Sequence, residues 1–201
     1  MSRVLYIKAN AKKEGESRTF RIADSFIEAY KSFHPNDEII TLDLYKEGID
    51  FLREDDLNAV LAHKETEDRE HPILKYAYQF RDADKYVIAE PLWNLSIPAI
   101  LKAYLDYVTV SGITFRYTEY GAEGLCKGKK AINITTRGGN YTEKGAAQYE
   151  MGDSYLRTLF GFLGIVDFKT LSVDELDVIG TDVEANIKEG IKEAIRLAET
   201  F

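Results

Sequence analysis

Short unbroken apolar runs alternate along this chain with stripes at helical spacing, and their order predicts the elements. Val4-Leu5-Tyr6-Ile7 is a first strand, followed by a polar loop from Asn10 to Ser17. From Arg18 the period changes, with Ile22, Phe26, Ala29 and Phe33 on one face, so a helix runs to a stop at His34-Pro35. Ile39-Ile40-Thr41-Leu42 is a second strand. Asp43 to Pro72 is a charge-rich insertion with a short helix near Asp55 to Lys64, and a helical face follows at Ile73-Leu74, Ala77-Tyr78 and Arg81. Tyr86-Val87-Ile88-Ala89 reads as a central strand buried on both faces, and Pro91 is expected to stop its ladder for want of an N–H. Beyond a loop, Ile97, Ile100, Leu101, Tyr104, Leu105 and Val108 recur at helical spacing. Ser96 is the expected N-cap of that helix, with Pro98 in its first turn.

The stretch from Ser111 to Gly128 is rich in glycine and aromatics, too irregular for one element, and reads as a structured excursion. Ala131 to Thr135 is a fourth strand ending at Thr136-Arg137-Gly138-Gly139-Asn140; a helix from Tyr155 to Phe162, a fifth strand from Val166 to Val173 and a helix from Val183 to Ala198 complete the chain. Strands alternating with helices require parallel pairing through right-handed crossovers. The expected fold is therefore α/β, one domain over residues 1–201: a flavodoxin-like, doubly wound, five-stranded parallel sheet in the order 2-1-3-4-5. That order brings the exits of strands one, three and four to one edge.

Composition narrows the partners. Net charge is −8 with no long basic run, which leaves no electrostatic footprint for nucleic acid or an anionic membrane surface. Cys126 is the only cysteine, no apolar run reaches spanning length, and the chain enters its first strand almost at once, so a cytoplasmic protein is expected.

Three loops carry the candidate chemistry. Asn10 to Thr19 joins the first strand to a helix start, where unpaired amides, Ser17 and Thr19 suit a phosphate, although Ser17 serves equally as a plain N-cap. Neither Gly-x-Gly-x-x-Gly nor Gly-x4-Gly-Lys-Ser/Thr follows that strand, which argues against a dinucleotide or triphosphate loop. In Leu92-Trp93-Asn94-Leu95 an indole and an amide can stack on and hydrogen-bond a planar heterocycle, or the indole can pack as core. Paired glycines in Thr136-Arg137-Gly138-Gly139 let backbone amides approach a ligand, or simply make a tight turn. No protein nucleophile or acid–base pair stands out, and His63, Glu67 and His71 read as a solvated helical face rather than a metal site.

On these runs, together with Lys8, Gly112 to Thr118, Gly128-Lys129-Lys130-Ala131 and Leu159 to Ile165, the chain resembles the FMN-dependent NADH azoreductases, also described as FMN-dependent NADH:quinone oxidoreductases. The resemblance implies bound FMN, NADH as co-substrate, quinones and azo compounds as acceptors, two-electron ping-pong transfer and a homodimer. It implies FMN phosphate contacts from Asn10, Ser17, Arg18 and Thr19, a flavin wall of Leu92, Trp93, Asn94 and Leu95, and pyrimidine contacts from Thr136, Arg137, Gly138 and Gly139. Two positions depart from the family's usual pattern: Ala9 replaces a hydroxyl residue and Leu92-Trp93 replaces Met-Tyr. A flavodoxin-type electron carrier serving a protein partner is the alternative; a phospho-receiver of the same topology lacks its acidic cluster at Ala9-Asn10-Ala11.

Overall fold

The computed structural model describes residues 1–13, 15–63, 66–142 and 145–201, with residue 63 described by its backbone only. Its centre is a parallel sheet of β1 (Arg3–Lys8), β2 (Glu38–Asp43), β3 (Lys85–Pro91), β6 (Lys130–Thr136) and β7 (Asp167–Val173), in the order β2-β1-β3-β6-β7. The expected order appears once the two short antiparallel strands of the Ser111–Gly128 excursion, β4 (Phe115–Thr118) and β5 (Gly121–Gly124), are set apart as a separate hairpin. Period-2 alternation sends Leu5, Ile7, Tyr86 and Ile88 into one apolar layer and Val4, Tyr6, Val87 and Ala89 into the other.

The first layer is covered by α3 (Leu74–Asp82), α4 (Ala99–Val108) and α5 (Gly152–Phe162), and the second by α1 (Arg18–Phe33) and α6 (Val183–Thr200). Between β2 and α3 lies α2 (Glu54–His63), close to the expected short helix, whose expected end at Lys64 lies outside the described residues. Helices on both faces explain why β3 and β6 are almost wholly buried.

Two expectations around β3 are corrected. Pro91 does not end the ladder: it pairs in register with Thr136, and the Leu92 N–H donates to the Thr136 carbonyl at 3.0 Å. A proline at the last strand position forfeits only its own N–H. Nor is Ser96 the cap of α4, which starts after Pro98 with no side-chain cap. Ser96 instead exchanges backbone hydrogen bonds with Trp93, at 2.8 and 2.9 Å, closing a tight turn over Asn94 and Leu95, both with positive φ (46° and 70°).

Candidate functional site

The carboxyl ends of β1, β3 and β6 open onto a polar cleft of about 160 Å³, at the position where open α/β sheets hold ligands. From the first loop it is bordered by Asn10, Lys12, Arg18 and Thr19; from the second by Leu92 and Trp93; from the third by Thr136, Arg137 and Gly138. Eight of the expected residues thus meet there. Ser17, Asn94, Leu95 and Gly139 are not on its lining.

The first loop is held by its own polar groups. Ser17 is fully buried as the N-cap of α1, where its hydroxyl accepts from the Phe20 N–H (3.1 Å) and from Asn10 Nδ2 (2.9 Å). Ser17 therefore shapes the loop from below, and the helix start presents the amides of Arg18 and Thr19, which have no intrahelical acceptor. Thr19 and Thr136 hydroxyls are 2.6 Å apart and tie this loop to the end of β6. The Arg18 guanidinium reaches across the cleft to the Leu176 carbonyl and to Asp177 Oδ1, both at 2.8 Å. Leu176, Asp177 and Lys12 are lining residues that sequence reasoning missed. The one available signal was that Asp174-Glu175-Leu176-Asp177 follows the fifth strand, whose exit lies on the same edge.

In the second loop Trp93 is 42% exposed, so it is not core, while Asn94 and Leu95 form the exposed tip of the turn. The Met151 N–H donates to the Leu95 carbonyl at 2.9 Å, which pins this turn to the start of α5. In the third loop the Arg137 N–H donates to the Val173 carbonyl (2.9 Å), whereas the amides of Gly138 and Gly139 have no acceptor among the described residues. A Cβ on Gly138 would stand 2.7 Å from Asp177 Oδ2, so backbone comes to the cleft where a side chain would intrude. The Arg137 side chain is buried between Glu150 (3.6 Å) and Asp174 (3.7 Å), which leaves the cleft side of this loop to its backbone. Burial raises the Asp174 carboxyl above its ordinary range, with Arg137 opposing the shift.

Free amides at a helix start, a helix-borne arginine, an exposed indole and an amide-rich glycine turn fit a mononucleotide with a flat ring. The volume suits the phosphate-bearing arm, being below the 300 Å³ or so of pockets that enclose a whole cofactor. Leu92 and Trp93 also line the cleft and offer an apolar surface to a flat ring. Elsewhere, His71 Nδ1 accepts from the Ile73 and Leu74 N–H groups at the start of α3, the His63 side chain lies outside the described residues, and no group of three potential ligands gathers among the described residues. Cys126 is buried, its thiol pushed up to about 11 by that burial. No helix among the described residues is long and apolar enough to cross a membrane.

Comparison with known proteins agrees with this geometry. A family model described as flavodoxin-like fold matches residues 2–197. An FMN-dependent NADH:quinone oxidoreductase of Clostridium perfringens is 62% identical over 201 residues, all of both chains, and FMN-dependent NADH:quinone oxidoreductase 2 of Clostridium acetobutylicum is 63% identical over 203, again covering both. Among solved structures, an azoreductase from Bacillus anthracis superposes with a TM-score of 0.91 at 35% identity over the whole of both chains. An FMN-dependent NADH-azoreductase from the same species, solved in complex with FMN, gives 0.88 at 27% over 98% of each. The chain belongs to the flavodoxin-like fold family and, within it, to the FMN-dependent NADH:quinone oxidoreductases.

Proposed function

We propose that the protein works as a homodimeric, cytoplasmic enzyme that oxidises NADH and reduces quinones and aromatic azo compounds by a two-step ping-pong cycle at one FMN. The observation that carries this reading is the convergence of three loops with complementary donors on one cleft. The Arg18 and Thr19 amides, with the Arg18 guanidinium, would hold the phosphate, favoured by the positive end of the α1 dipole. Leu92 and Trp93 would flank the ring, and the unpaired amides of Gly138 and Gly139 would donate to its pyrimidine carbonyls. Donors fixed there in advance favour any negative charge that gathers on that side of the ring. Bound FMN supplies the redox chemistry, taking hydride from NADH and giving two electrons to the acceptor.

The exposed Trp93 supports a ping-pong cycle, since a ring open on that side could be met by donor and acceptor in turn. The deciding experiment records the visible spectrum of the purified protein, then its bleaching by NADH and its recolouring by benzoquinone or an azo dye. Parallel lines in double-reciprocal plots are expected. Protein that carries no flavin, or flavoprotein that NADH does not bleach, overturns the reading. Reduction only through an added protein partner would make it an electron carrier instead.

A further inference from the structure

Behind the second and third loops lies a cluster of ionisable groups that the proposed reaction does not use. Glu90 sits between the apolar end of β3 and Pro91, wholly shut off from solvent. Its Oε1 accepts from Asn133 Nδ2 at 3.3 Å; among the described residues its Oε2 has no well-formed hydrogen bond, nor do Asn133 Oδ1, Thr135 Oγ1 and Arg137 Nε. Groups from three directions face it. From the end of β6 comes Arg137; from the segment entering α5 come Glu150 and, by way of Asn133 (3.1 Å), Asp153, itself paired with Arg157 (3.2 Å); beyond β7 Asp174 joins only by way of Arg137. On β1 the neighbour is Ala9, because Lys8 turns to the opposite face and pairs with Asp24 at 3.0 Å.

Charge and hydrogen bonding decide which of these carboxyls is neutral. Asp153 and Arg157 balance each other, leaving the single guanidinium of Arg137 paired with Glu150 and Asp174, its charge also felt by Glu90. Glu150 accepts from the Asp153 and Ser154 N–H groups (2.9 and 3.2 Å) at the positive end of α5, so its charge is well held. Asp174 keeps an ion pair with Arg137, although its oxygens are also shut off from solvent and its carboxyl too is raised by burial. Glu90 has only neutral donors, Asn133 and Thr135, and no exposure to solvent, and a buried charge so poorly compensated takes up a proton instead. Burial pushes its carboxyl up to about 7, with Thr135, Asn133 and Arg137 opposing the rise and Glu150 adding to it.

We propose that Glu90 is a positioning residue of the flavin site: a buried proton-holding carboxyl that, through Arg137 and Asn133, makes the affinity of the two loops for the anionic cofactor depend on pH. While Glu90 is protonated, Arg137 is left to Glu150 and Asp174 and anchors the third loop; once ionised, Glu90 competes for the same guanidinium and adds negative charge beneath an anionic ligand. FMN affinity therefore falls as pH rises through Glu90's titration. Folding is linked in the same sense: between an ordinary glutamate's range and about 7 the fold keeps a proton that the unfolded chain has lost, so the stability of the flavin-free protein declines with rising pH across that window.

The inference rests on the flavin reading, and the test separates the two. FMN stripped from the purified protein is titrated back between pH 5.5 and 8.5 for wild type and Glu90→Gln, alongside the infrared carbonyl band of protonated carboxylic acids in the flavin-free forms. Comparing the two proteins cancels the titration of the FMN phosphate itself. Expected is a band present in wild type at pH 5.5, bleaching on the way to pH 8.5 and absent from Glu90→Gln, with a wild-type loss of FMN affinity over this range roughly threefold greater than in the variant. An identical band in both proteins, or parallel affinity curves, overturns the proposal. Wild type that binds no FMN at any pH overturns the flavin reading and the proposal with it. Should Glu90→Gln not fold, Asn133→Ala removes one of the groups that favour the ionised form, and the band's midpoint must then move to higher pH; an unmoved midpoint is again a refutation.

Discussion

Trp93 and Gly138 both line the cleft and are proposed to carry separable duties. At 42% exposure Trp93 could touch whatever sits on the open side of a bound ring, while in the proposed reading other residues would hold the cofactor's arm. Trp93→Ala is expected to change the kcat/KM ratio between a bulky azo dye and benzoquinone by about tenfold, the worth of one aromatic contact, and to shift the FMN Kd by no more than about threefold. Steady-state kinetics beside a fluorescence titration check it; equal loss in both would make Trp93 a structural support. Gly138→Ala acts the other way. Its new Cβ meets the far end of Asp177, a flexible and exposed side chain, so the fold absorbs it, but the Arg18–Asp177 pair and the amide of residue 138 must shift. FMN binding should weaken about tenfold, roughly 1.4 kcal/mol, with the melting temperature of the flavin-free protein nearly unchanged. Both residues were legible in the sequence because a lone tryptophan and paired glycines stood directly after predicted strands. Asp177, Lys12 and Glu90 were not, since a charged side chain shows its role only once packing reveals what it faces.

Among the elements, the turn from Trp93 to Ser96 shows how local chemistry can mislead. A serine two residues before Pro98 suits an N-cap, and a proline after an apolar run suits the end of a strand, yet Leu92 continues the bonding to Thr136 and Ser96 closes a two-residue turn. Both central residues of that turn have positive φ, a geometry that favours Asn-Gly, and the chain offers Asn94-Leu95. A leucine at φ 70° costs about 1–2 kcal/mol, so Leu95→Gly is expected to stabilise the protein by about 1 kcal/mol net of its lost contacts. Calorimetry on the flavin-free protein should show a rise of about 2–4 °C in Tm. A fall would show that the Leu95 side chain packs where the backbone strain is repaid. Periodicity read the long elements well, because β1, β3, β6, α1 and α6 each bury a continuous run or stripe. It could not read the β4–β5 hairpin, whose mostly exposed four-residue strands leave no alternating pattern.

For the whole molecule the question is what covers the apolar surface that a single chain leaves open. Phe51, Leu57 and Leu61 are 69%, 50% and 60% exposed, and the two leucines stand one turn apart on α2, a stripe that water does not favour. On the excursion, Tyr117 and Tyr120 project from the hairpin, 73% and 91% exposed. A cleft too small to enclose a flavin ring, on a chain with spare aromatics and an unmet leucine stripe, is completed most simply by a second copy. Leu57→Glu with Leu61→Glu places two charges on that stripe without touching the cleft lining. Sedimentation should show wild type as a dimer and the double variant as a monomer at micromolar concentration. Because a roof borrowed from a partner would be lost on dissociation, the variant's FMN should also dissociate faster and its ring fluorescence become more accessible to iodide. A monomeric variant that holds FMN as wild type does would mean that each chain completes its own site. A wild-type monomer would remove the dimer from the proposal and leave the cleft open to solvent in the working enzyme.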